Sequence, residues 1–99
     1  MNAKLENMNL QLLFDAVLEL ETHEECGNFF EDLCTMQELK ALSQRIHVAY
    51  MLTQGKVYSE IVEETGASTA TISRVNRSLN YGSDGYRMIF DRMKEHGRL

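Results

Sequence analysis

A chain of 99 residues has room for about one domain and one core. Its 43% hydrophobic and 25% charged residues, with no proline and no biased tract, exclude a collagenous, linker-like or disordered polymer. A net charge of −5 argues at first against a polyanionic partner, and there is no run of about 18 apolar residues to span a membrane.

The first predicted element, "NLQLLFDAVLELE" over residues 9–21, shows no strand-like alternation. Leu10, Leu12, Leu13, Phe14, Ala16, Val17, Leu18 and Leu20 cover more than one helical face, whereas a surface helix needs a single apolar stripe. The second cover is expected from another subunit. Thr22 with Glu25 reads as a capping box opening the next helix, which sends Phe29, Phe30 and Leu33 to a core. Thr35 with Glu38 repeats the device and opens a helix over 36–54, with Leu39, Leu42, Ile46, Ala49, Tyr50 and Leu52 or Thr53 inward. Gly55 is a left-handed stop. Ser59 is expected to cap a short helix over 60–65 that Gly66 ends, and Ser68 another running to about Leu79. "NYGSDG" reads as a turn cluster. A last helix near 85–96 places Tyr86, Ile89, Phe90 and Met93 on one face, with Lys94 and His96 at the negative helix end and Gly97 closing it. The predicted fold is all-α: one domain over 1–99, about six helices and no strand.

Catalytic and metal chemistry find little purchase. Cys26, Cys34 and His23 fall short of the four ligands of a structural zinc site, so no metal or cofactor is expected. The start of the chain lacks the basic and apolar regions of a signal peptide, so the thiols read as reduced and the location as cytoplasmic. No Gly-rich phosphate loop, paired-acid motif or nucleophile beside a histidine occurs, and His23, His47 and His96 lie far apart in sequence. An enzyme is not expected.

The charge is unevenly placed. Residues 1–35 sum to −7, residues 36–64 to −1 and residues 65–99 to +3, so the back part of the chain is the one suited to phosphate. There, two short helices meet at a glycine turn over about 59–79, the arrangement of a helix-turn-helix. Ile61 and Val62 supply the first helix's stripe, Gly66 is free to take positive φ, Ala67 tucks under the turn, and Ile72, Val75 and Leu79 anchor the second helix. The opposite face presents Ser68, Thr69, Ala70, Thr71, Ser73, Arg74 and Arg77. Small residues allow close approach to base edges, Thr and Ala methyls suit thymine, and arginine suits guanine or phosphate. Aromatic residues are absent from that face as drawn, which disfavours single-strand stacking. An ordinary helical interaction domain shares the glycine-turn pattern and remains the rival reading.

"LCTMQELKALSQRI" followed by "SEIVEETGASTATISRVNRSL" resembles the tryptophan repressor superfamily, most closely its TrpR-related YerC/YecD branch, over roughly residues 10–95. The resemblance implies an intertwined homodimer, dimerised through helices at about 9–54, that binds double-stranded DNA in a sequence-specific way as a transcriptional regulator acting by repression. Each subunit would offer helix 69–79 to a major groove, with half-sites ~34 Å apart. Thr69, Ala70, Thr71 and Ser73 match base- or phosphate-facing positions of the family. Ser59 and Val62 stand where the repressor is basic, which shifts phosphate anchoring toward Lys56 and Arg77. Thr35, Arg45, Arg74 and Ser78 match the residues that hold the repressor's tryptophan, a set suited to an amino-acid carboxylate. Val75 replaces a glycine that makes room for the indole, which disfavours tryptophan and leaves another small metabolite, or no effector, open. Arg45 and Arg74 also suit phosphate contacts or intrachain ion pairs.

Overall fold

In the computed structural model, which describes residues 9–99, the chain forms six α-helices and, among the described residues, no strand. They are α1 (Gln11–Leu18), α2 (His23–Leu33), α3 (Met36–Thr53), α4 (Tyr58–Thr65), α5 (Thr69–Tyr81) and α6 (Gly85–Glu95). The described residues divide into two compact units, the first ending at Leu39 and the second Lys40–Leu99, and α3 begins in the first and continues in the second.

In the first unit, the helix starts follow from side-chain capping. The Thr22 hydroxyl accepts the Glu25 N–H at 3.1 Å, while the Glu25 carboxylate accepts the N–H of Glu21, one residue earlier than a standard box. At Thr35 the box is reciprocal: Glu38 N–H to Thr35 Oγ1 at 3.1 Å, and Thr35 N–H to Glu38 Oε1 at 2.9 Å. Those bonds from Thr35, backbone first and side chain second, hold the Glu38 carboxyl below its usual range. Helix α1 is shorter than expected, because its end tightens at Leu18 into bonds from Glu19 to Ala16 and from Leu20 to Val17. No α1 residue is buried in the chain, and Leu12 and Leu18 are 78% and 81% exposed. Leu33 is likewise exposed rather than in a core.

The second unit holds the core: Val48, Ala49 and Met51 from α3, Ile61 from α4, Ala67 from the turn, Ile72 and Val75 from α5, and Phe90 from α6. Each large aliphatic side chain removed from water here contributes about 1.5–3 kcal/mol. The inward face of α3 differs from the expected one. Leu42 and Ile46 are exposed, and the buried positions lie nearer the C-terminal end, where α3 meets the helix-turn-helix. Tyr50 and Phe90 meet edge to face at 5.5 Å, and Tyr86 stacks on Phe90 at 6.2 Å. Helix α3 ends at Gly55 (φ 79°) with bonds from Gly55 to Leu52 and from Lys56 to Met51, a Schellman stop, and α6 ends the same way at Gly97 (φ 70°).

Helix α4 starts two residues before the expected 60–65. Ser59 does not cap it. The capping residue is Val57, in extended backbone, whose N–H is taken by the Glu60 carboxylate at 3.4 Å. Val62 is exposed, so Ile61 alone of the expected pair is buried. Helix α5 runs through Tyr81, absorbing the first two residues of the expected turn cluster. Gly82 then allows a close pass, because a Cβ there would collide with the Ser78 backbone carbonyl.

Candidate nucleic-acid interface and adjoining cleft

The turn between α4 and α5 is fixed from several directions. Gly66 sits at φ 71°, the left-handed conformation that side chains resist, and its N–H bonds the Val62 carbonyl at 2.9 Å. The Thr65 hydroxyl donates to the Ile61 carbonyl at 2.6 Å and accepts the Ala67 N–H at 3.1 Å. From α3, the Gln44 side-chain amide donates to the Thr65 carbonyl at 3.0 Å, satisfying an acceptor that the end of α4 leaves open. Ala67 is buried beneath the turn. The entry angle of α5 is thus set by backbone geometry and by three side chains, those of Gln44, Thr65 and Ala67.

Ser68 caps α5 as expected: its oxygen accepts the Thr71 N–H at 3.1 Å, and its own hydroxyl donates to Thr71 Oγ1 at 3.1 Å. Ile72, Val75 and Leu79 are buried, as expected. Ser68, Thr69, Ala70, Ser73, Arg74 and Arg77 are exposed, and Thr71 is half-buried. Directly opposite the buried stripe run Ala70, Arg74, Arg77 and Tyr81, at i, i+4, i+7 and i+11. Tyr81 is 88% exposed. The exposed face therefore does carry an aromatic residue, which the sequence reading left out by ending the helix at Leu79. Lys56 lies in the α3–α4 connection with its ammonium 3.9 Å from the Glu60 carboxylate, so part of its charge is already answered.

Beside this face the second unit has a cleft of about 320 Å³, lined by Ala41, Gln44, Arg45, Thr71, Arg74, Val75, Ser78 and Tyr86. Four of the five residues expected at an effector site, Arg45, Arg74, Val75 and Ser78, meet there. The fifth, Thr35, lies in the first unit and is engaged in its capping box with Glu38. The Arg45 Nε–H donates to the Ala41 carbonyl at 3.3 Å, and among the described residues neither Arg45 nor Arg74 pairs with a carboxylate. The intrachain ion pairs weighed from sequence are not formed there. Val75 is 2% exposed and belongs to the core, so it forms the floor of a cleft that Arg45 and Arg74 also line. The sequence did not mark Ala41, Gln44, Thr71 and Tyr86 as lining residues. Ala41 and Gln44 carried no signal beyond their helical position, Thr71 read as DNA-facing, and Tyr86 read as core.

The comparisons with known proteins agree with this architecture. The Trp repressor protein family matches residues 8–94. The uncharacterized protein YerC of Bacillus subtilis (strain 168) is 55% identical over 92 residues, covering 93% of this chain and 88% of its own. A TrpR-like protein from Eubacterium eligens ATCC 27750 superposes with a TM-score of 0.89 at 54% identity, over 94% of this chain and 96% of that one. A candidate Trp repressor from Staphylococcus aureus superposes with a TM-score of 0.81 at 55% identity, over 95% and 89%.

Proposed function

This chain belongs to the Trp repressor family, whose members are DNA-binding regulators and not enzymes, and on that premise we propose that it is a homodimeric, sequence-specific repressor of transcription. The carrying observation is α5 itself. It is anchored along one side by Ile72, Val75 and Leu79 and presents small hydroxyl and methyl groups with two arginines on the other. Thr69, Ala70, Thr71 and Ser73 reach base edges or phosphate, Arg74 and Arg77 reach guanine or phosphate, and Ser68 holds the N-terminal turn at the groove. Lys56 adds a weaker phosphate contact, since Glu60 competes for it. Repression follows from occupancy of an operator with two half-sites ~34 Å apart, the spacing of helix-turn-helix dimers, the Trp repressor among them.

Dimerisation is supported by apolar surface that one chain leaves in water. Leu12, Leu18 and Met36 are exposed in or beside the first unit. In the second unit, Ile46 and Ile89 line an apolar groove of about 480 Å³ with Tyr86. Exposed apolar area of this kind marks an association surface.

The cleft at Arg45 and Arg74 is the site of a small effector bearing a carboxylate. Its volume sits at the lower end of small-molecule sites, and its two guanidinium groups match a planar anion in geometry and charge. With Val75 as its floor, a ligand smaller than tryptophan is favoured. Because Arg74 and Thr71 belong to both the cleft and the reading helix, an effector there would alter the helix's presentation to DNA directly.

The overall charge of −5 favours the rival reading, a helical dimer acting through protein partners. Titration of binding against salt, across a library of genomic duplex fragments, separates the two. A DNA-binding dimer loses affinity steeply as salt rises, because each neutralised phosphate releases condensed counterion. No retention of any fragment at about 50 mM salt would leave the protein-partner reading standing instead.

A further inference from the structure

The cations of the second unit differ in what already answers them. Lys56 has Glu60. Arg87, the third residue of α6, has no carboxylate among the described residues, although Asp84 and Asp91 occupy the i−3 and i+4 positions where a helical partner would stand. Its guanidinium is instead held by a neutral group: Nη2–H donates to the Asn80 Oδ1 at 3.1 Å. Asn80 is held in turn, its amide NH₂ donating to the Asn76 carbonyl at 3.0 Å and to Asn76 Oδ1 at 2.9 Å. This orientation is the one the polarity demands. Rotating the Asn80 amide by half a turn would set its oxygen against two acceptors and its NH₂ against a cation.

The relay Asn76–Asn80–Arg87 therefore fixes a full positive charge beside the C-terminal end of α5 without neutralising it. A guanidinium has five N–H donors, and here one is used. The connection that sets Arg87 in this place is tight. Gly82 passes too close to the Ser78 carbonyl for any side chain, and Asp84 takes a left-handed conformation (φ 61°) to start α6. Within one residue of Asn80, the Tyr81 phenol is 88% exposed on the outward stripe of α5. Arginine and tyrosine held at the end of a reading helix are backbone-binding groups, which position a protein on a duplex and carry no base information.

Resting on the DNA-binding reading, we propose that Arg87, positioned by Asn80, is a phosphate contact flanking the major-groove site, with Tyr81 as a second donor to the same stretch of backbone. It compensates for the acidic character of α4, where Glu60, Glu63 and Glu64 leave little capacity for phosphate.

The test is the salt dependence of Arg87→Ala and Asn80→Ala on a duplex that the unaltered protein retains. Both residues are exposed, and a thermal melt verifies the fold. Arg87→Ala should weaken binding to preferred and scrambled duplexes by the same factor, and should lower the slope of log affinity against log salt by about 0.9 for each copy that meets a phosphate. Asn80→Ala, which keeps the charge but releases it, should weaken binding by a smaller factor. Added to Arg87→Ala, it should have no further effect, since its role acts through that arginine. An unchanged slope in Arg87→Ala, with the unaltered protein binding normally, would overturn the contact while leaving the DNA-binding reading in place. Failure of the unaltered protein to retain any duplex would overturn both.

Discussion

Arg74 stands where the proposed DNA groove and the cleft would compete for it. It lies on the outward stripe of α5 and also lines the cleft with Arg45, and no carboxylate among the described residues engages it. Its charge is therefore available to a phosphate, a guanine edge or an effector carboxylate, whichever is present. Thr71 sits at the same junction, half-buried, with its hydroxyl oxygen accepting from Ser68 and its backbone N–H capped by Ser68. Arg74→Ala should cost about 1–3 kcal/mol of discrimination at any base it contacts in bidentate fashion. Thr71→Ala keeps the N-cap, which uses the Thr71 backbone, and should change sequence preference without lowering the melting temperature appreciably. Competition binding of each variant against a panel of point-substituted duplexes measures both effects. Unaltered preference in both variants would move the reading face elsewhere on α5.

At the scale of the element, the ends of α4 and α5 depend on two glycines that act by different means. Gly66 is needed for its φ of 71°, where no neighbour lies within contact of an added Cβ, so Gly66→Ala carries backbone strain of roughly 1–2 kcal/mol and nothing else. Gly82 is needed for space, since a Cβ meets backbone at Ser78 that cannot move aside. Gly82→Ala should therefore cost more than Gly66→Ala in a chemical-denaturation experiment, and should displace the start of α6. The order of the two destabilisations is the result to check. The glycine stops and hydroxyl caps were legible in advance because they are local: Gly55, Gly66 and Gly97, with Thr22, Thr35 and Ser68, act within four residues of themselves. Ser59 misled because a serine before a helix looks like a cap, while the actual device is an acidic side chain reaching back to Val57. The inward face of α3 was illegible for a different reason. Leu42, Ile46, Val48 and Met51 are equally apolar, and only the placement of α4, α5 and α6 decides which are covered. The cleft was legible as a resemblance and not as chemistry, since nothing in the spacing of Arg45 and Arg74 brings them together.

For the whole molecule, the relevant quantities are charge and apolar exposure. The acids concentrate in residues 1–35 and the bases in residues 65–99, so a net charge of −5 coexists with a net +3 over the part of the chain that holds α5 and α6. Leu12 and Leu18, about four-fifths exposed in one chain, are residues that the proposed dimer would cover. Light scattering should give twice the chain's 11.4 kDa, and Leu12→Glu with Leu18→Glu should shift the mass toward one chain and abolish retention of duplexes. A stable monomer of the unaltered protein would remove the two-fold symmetry from the account. Selection of bound duplexes from a random pool tests the central claim most directly, because it reads sequence preference and symmetry together. The account requires enrichment of an inverted repeat with half-site centres about one helical turn apart, lost on Arg74→Ala. A pool that returns no enriched sequence after selection at low salt would contradict it.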